Sequence, residues 1–187
     1  MLSVEQLRRV RDELGPQSWH EVTIADLARA SGVSRATLHR HGITKQEVAD
    51  GLSELLRDEY AAAALPALTA SGPAVARLEQ ALRAVCAVDE RYRGLIDGLG
   101  DRLPDVFHEP GEGEVLTRPG FTDALRRILE DGARDGTLAA DDDPEETATL
   151  LFNAAGWTYR HLRTGHRWSV EKATTRVAAL LTAGVRP

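Results

Sequence analysis

Along most of the chain, apolar residues return every three or four positions, the period of helices with one buried face. Leu7, Val10 and Leu14 form one such stripe. Ser3 precedes it with Gln6 spaced for a capping box, and Gly15-Pro16 ends it. Thr23 opens a second helix, IADLARAS, whose Ile24, Leu27 and Ala28 are expected to face inward, with Gly32 as the turn residue. Ser34 caps a short third helix, RATLHRH, ending near Gly42. Thr44 and Glu47 make another capping box at the head of a long helix. That helix is predicted from Lys45 to about Ala64, with Val48, Leu52, Leu55 and Leu56 inside and Pro66 as its stop.

The same period continues beyond Pro73, where Val75, Leu78, Leu82 and Val85 predict a helix to about Val88, followed by a shorter piece from Asp89 to Leu99. Residues 100–120 are rich in Pro, Gly and acid and lack a period, so they read as a long loop. Phe121 to Gly132 resumes the helical pattern. Asp141, Asp142 and Asp143 ahead of Pro144 start a helix to about Arg163, since acids suit the positive end of the helix dipole and Pro suits the first turn. Ser169 opens the last helix, to about Ala183. The prediction is an all-α protein of about nine helices, with no internal repeat.

Composition narrows the class. At 187 residues, 42% apolar and 28% charged, the chain can bury a core. No window holds the ~18 uncharged apolar residues of a membrane span. The charged, periodic N-terminus is not expected to be a signal peptide. The single cysteine, Cys86, allows no internal disulfide and suits a reducing compartment, so a cytoplasmic location is expected. The net charge of −6 is uneven. Residues 1–45 carry seven Lys/Arg against five acids, a balance of +2, and the remainder carries −8. A mildly basic head on an acidic body allows a polyanion to be held at one end.

The restrictive spacing lies between Thr23 and Lys45. Ala28 is small where a second helix must cross closely, Gly32 adopts a left-handed turn at low cost, and Leu38 locks the second helix onto Leu27 and Val33. This is the pattern of a helix-turn-helix, whose second helix enters the major groove of DNA. Thr23, Ser34 and Thr44 place hydroxyls at helix N-termini, where phosphate is favoured, and Lys45 adds a charge. Arg35, Ala36, His39 and Arg40 fall on the outer face of the second helix. Arg35 suits a bidentate contact with guanine, and Ala36 lets the backbone approach a thymine methyl. A plain helical hairpin with ordinary caps is the alternative. His39 and His41 do not suit a metal, because positions i and i+2 on a helix point apart.

The stretch VTIADLARASGVSRATLHRHGITKQEV resembles the DNA-binding signature of tetracycline-repressor-type (TetR) regulators, and helix order and length agree beyond it. The resemblance implies phosphate contacts by Thr37, His39, His41 and Lys45, with Arg35 and Ala36 nearest the bases. Two positions depart from the pattern: His39 stands in place of the usual Tyr, and Gly42 in place of the usual Phe. Trp19 is a candidate to fill the space left at Gly42, and a less rigid head is expected.

The resemblance further implies a DNA-binding head over 1–46 and a regulatory and dimerisation body over 47–187. It implies a homodimer on a pseudo-palindromic double-stranded operator, repression, and release by a small-molecule effector of unknown identity. Leu151, Ala155 and Thr158, with Val177 and Leu181 on the last helix, are the expected dimer contacts, a monomer core being the alternative. Tyr60, Cys86, Tyr92, Phe107 and Trp157 are candidate effector contacts, with the 100–120 loop as a gate; plain core residues are the alternative. No metal, cofactor or membrane partner is expected. The chain lacks HExxH, ExxH, GxSxG, Walker and GxGxxG patterns, which weighs against an enzyme. A helical protein–protein adaptor is the remaining competitor.

Overall fold

The structure is a computed structural model and describes residues 1–100, 103–108 and 117–187. Among these, the helices are α1 (Val4–Leu14), α2 (Ile24–Ser31), α3 (Arg35–Arg40), α4 (Lys45–Ala63), α5 (Leu65–Leu68), α6 (Ala74–Leu99), α7 (Leu103–Phe107), α8 (Pro119–Asp135), α9 (Pro144–Thr164) and α10 (Val170–Ala183). A lone antiparallel bridge pairs His108 with Thr117. The all-α expectation is met.

Local chemistry sets most helix starts. Ser3 accepts from the Gln6 N–H while the Gln6 side chain accepts from the Ser3 N–H, completing the predicted capping box. Thr23 does the same with Asp26, and Thr44 with Glu47. Ser34, Asp143 and Ser169 each cap the helix that follows. These bonds satisfy backbone donors that the first turn leaves without partners.

Three expectations need correction. The break at Asp89 does not occur, and α6 runs unbroken for 26 residues. The 100–120 stretch contains α7 and the start of α8, while 101–102 and 109–116 of the expected gate lie outside the described residues. Ile24, expected to face inward, is exposed. Gly15 closes α1 as expected, with an ordinary right-handed backbone.

Chain contacts divide the molecule into two compact units: Met1–Asp58 with Glu90–Phe107, and Glu59–Asp89 with His108–Pro187. The first unit includes much of α4 and the last part of α6.

Within the first unit, α6 meets the segment after α1 backbone to backbone. The Gly94 N–H donates to Gly15 O (2.8 Å), and the Trp19 N–H donates to Gly94 O (3.3 Å). A Cβ at Gly15 would collide with the Arg91 carbonyl, and one at Gly94 with the Gln17 carbonyl. These two glycines permit the approach. Leu7, Val10, Leu14, Leu27, Leu38, Val48, Leu52 and Leu56 fill the core around it.

In the second unit α9 packs against α8 and α10. Tyr60, Phe121 and Phe152 form a triangle of rings with centroids 5.3–5.4 Å apart. Beside it a buried ion pair joins Arg160 of α9 to Asp89 of α6. Gly156 leaves room for the pair, since a Cβ there would sit 3.1 Å from the Asp89 carboxylate.

Candidate nucleic-acid interface

Two glycines define the interface by fixing both ends of α3. At the end of α2, Gly32 adopts φ +71°, the Val33 N–H reaches Ala28 O (3.0 Å) and the Gly32 N–H reaches Arg29 O (3.2 Å). At the end of α3, Gly42 adopts φ +64°, with the Ile43 N–H on Leu38 O (2.9 Å) and the Gly42 N–H on His39 O (3.0 Å). Both are Schellman turns, which satisfy carbonyls that a helix end leaves over. A Phe at 42 would be strained in the left-handed region; glycine is the residue this turn requires.

The expectation that Trp19 fills the space at Gly42 fails. A Cβ at Gly42 would meet nothing within 4 Å. Trp19 instead packs against Gly98 of α6, where a Cβ would lie 2.6 Å from the Trp19 Cβ, and under the Lys45 ammonium, 5.5 Å from the ring.

Between its two turns, α3 is held by one side chain, Leu38, which is 1% exposed. Arg35, Ala36, His39 and Arg40 are exposed, as is His41 at the C-cap. Neither Arg35 nor Arg40 has a salt-bridge partner among the described residues. Arg29, by contrast, is committed to Glu13 and to Asp26 (3.5 Å). The free positive charge of this face therefore sits on α3.

The hydroxyls expected at phosphate are engaged as caps. The Ser34 Oγ accepts from the Thr37 N–H (3.0 Å) and shares a bond with the Thr37 hydroxyl (2.9 Å). Thr44 accepts from the Glu47 N–H (3.1 Å). Thr23 binds the Asp26 carboxylate, and that bond holds the Asp26 carboxyl below its ordinary pKa. Lys45 is half-buried and also engaged, with its ammonium donating to Val22 O (2.7 Å) and His20 O (3.3 Å). Sequence reasoning missed this tether, because its carbonyls come from an irregular segment with no periodic signal.

The other candidates separate. Tyr60 and Cys86 are buried in the second unit, whereas Tyr92 and Phe107 are buried in the first. Burial, then the Asp89 charge, raises the Tyr60 hydroxyl well above its ordinary pKa, with Arg160 opposing; burial pushes the Cys86 thiol up to about 12. Trp157 is 61% exposed, with the Arg160 guanidinium over its ring. Among the proposed dimer contacts, Leu151, Ala155 and Val177 are buried within the protomer, Leu181 is half-buried and Thr158 is exposed. The exposed large apolar residues of α9 and α10 are Leu150, Trp157, Val170 and Leu180.

Two short helices joined by a left-handed glycine turn, the second held by one leucine and otherwise bare, define a helix-turn-helix unit carried by an all-α protein. The chain belongs to the TetR family of transcriptional regulators: the tetracyclin repressor-like C-terminal domain matches residues 71–185, more than half its length. It is a regulator and not an enzyme.

Solved structures share the fold at low identity. A protein solved to show the molecular basis for control of antibiotic production by a bacterial hormone is 16% identical, with a TM-score of 0.68 over 99% of this chain and 100% of its own. A TetR/AcrR-family transcriptional regulator from Thermobifida fusca is 17% identical, with a TM-score of 0.65 over 97% of this chain and 95% of its own. The TetR-family regulator PfmR from Thermus thermophilus is 19% identical, with a TM-score of 0.65 over 97% and 99%. No curated protein matches the sequence.

Proposed function

We propose that the protein is a repressor that binds a pseudo-palindromic operator as a homodimer and leaves it when a small-molecule effector binds the second unit. The observation that carries DNA binding is α3 itself, capped at both ends, pinned by Leu38, and presenting Arg35, Ala36, His39 and Arg40 outward. Arg35 and Ala36, in the first turn, are the base-reading pair. Thr37, His39, Arg40, His41 and Lys45 serve phosphate, with Thr23, Ser34 and Thr44 shaping the helix ends that meet it.

Dimerisation is assigned to the outer faces of α9 and α10. Leu150 and Trp157 are each 61% exposed and Leu180 is 70% exposed, apolar surface that a second copy would bury. Thr158, the next residue along α9 after Trp157, is exposed as well. Two α3 helices then read half-sites about 34 Å apart, one duplex turn. The effector contacts are assigned to Tyr60 and Cys86, which are buried in the second unit, Tyr60 against the Phe121 and Phe152 rings.

The test is selection of fragments from a random DNA pool by the full-length protein, followed by anisotropy titration at several salt concentrations. Enrichment of an inverted repeat, with affinity falling steeply as salt rises, is expected. Enrichment of no sequence, or affinity indifferent to salt, overturns the reading. A reporter driven from the selected site separates repression from activation.

A further inference from the structure

The first unit contains a half-open cleft of about 410 Å³, lined by Trp19, His20, Lys45, Gln46, Ala49, Gly98 and Leu99. We infer that this cleft is a second small-molecule site, for an organic anion with a flat apolar body, and that its occupant shares the Lys45 ammonium with DNA. The second part rests on the DNA-binding reading above; the first does not.

The chemistry is asymmetric in the way such a ligand needs. Ala49 and Leu99 are buried and give an apolar floor, and close packing of Gly98 against the Trp19 Cβ shuts one side. Lys45 and Gln46 supply the cationic and amide groups of the lining. Lys45 carries three N–H donors and spends two on Val22 O and His20 O. The third remains for an anion, and His20 also contributes to the lining. The Gln46 amide donates to the Asp50 carboxylate (2.9 Å). The volume falls within the range of small-ligand pockets, roughly 300–1,000 Å³, and is far larger than one phosphate needs. An occupant anchored on Lys45 draws on the charge that a DNA phosphate would otherwise meet, so the two compete within the reading head.

The probe is 1-naphthoate, with 1-naphthalenemethanol as its uncharged counterpart. The full-length protein carries Trp157→Phe and Trp168→Phe so that Trp19 alone reports. Saturable quenching of Trp19 by naphthoate is expected, weakened at least tenfold by Lys45→Met and by Gln46→Glu, and at least tenfold weaker for the alcohol. Gln46 is exposed, so its substitution leaves the fold intact and keeps the test valid if Lys45→Met unfolds the unit. No saturable quenching, equal binding of the alcohol, or unchanged affinity in Gln46→Glu overturns the site. In a separate titration, naphthoate is expected to displace labelled operator from the unsubstituted protein. Binding without displacement overturns the shared ammonium. Naphthoate binding by a protein that holds no DNA sustains the cleft and overturns the DNA reading instead.

Discussion

The Arg160 guanidinium donates to the Asp89 carboxylate across 71 residues of sequence, and both side chains are buried, 7% and 0% exposed. Removing one partner strands the other charge in an apolar surround. Asp89→Ala is expected to destabilise the protein by about 3–5 kcal/mol, the usual penalty for an orphaned buried charge. Chemical denaturation checks this. Arg160→Met paired with Asp89→Leu should recover most of the loss, because the cost lies in the uncompensated charge.

Gly94 tests the backbone contact with the segment after α1. Gly94→Ala forces a Cβ into the Gln17 carbonyl, and neither group is a flexible side-chain end. A loss of about 3 kcal/mol is expected from the resulting overpacking. The same substitution should alter Trp19 fluorescence, because the Trp19 N–H bonds Gly94 O.

Arg35 and Lys45 should fail differently on DNA. Arg35→Ala is expected to relax base preference at one position of each half-site, by about 1–3 kcal/mol. Lys45→Ala should weaken all sequences alike and flatten the salt dependence by about one unit of slope. Competition binding with matched and scrambled sites at two salt concentrations separates the two.

Leu150→Glu together with Leu180→Glu should yield a monomer in sedimentation equilibrium with little loss of protomer stability, since both side chains are exposed in the protomer. Ala155→Glu should instead unfold the second unit, its site being fully buried.

Two titrations have opposite signs. The Asp26 carboxyl lies below its ordinary pKa because Thr23 bonds its charged form. The cap it provides to α2 is therefore complete above the ordinary carboxylate range and is lost as pH falls through and below about 4. Amide signals of residues 23–26 should report that loss. The Cys86 thiol is pushed up to about 12 by burial, so it stays neutral across the working range. Its contribution to stability is present below the thiol's ordinary pKa and fades as pH rises toward 12. A thiol reagent at pH 8 should leave Cys86 untouched in the native protein and label it after unfolding.

The features legible in sequence are the local ones. Capping boxes at Ser3 and Thr44 need only a residue and its neighbour three positions on, so spacing alone revealed them. Leu38 and Gly32 were readable for the same reason. Asp89 looked like a helix boundary because the partner that makes its burial tolerable, Arg160, is remote in the chain. Gly15 ends α1 as its position suggested, but that it also admits the Arg91 carbonyl is a long-range fact that spacing does not carry. On α9 the apolar run places Leu150 next to Leu151, and periodicity did not decide which of the two faces outward. One residue is a rotation of about 100° on a helix, enough to exchange core for surface.

The two Schellman turns make α3 a replaceable cassette. Its fold is written into Gly32, Ser34, Leu38 and Gly42, while Arg35, Ala36, His39 and Arg40 fill no core and hold no cap. Libraries randomised at those four positions should stay folded almost without exception. Target preference in this protein can therefore be rewritten, by selection or by drift, with little thermodynamic resistance from the scaffold beneath.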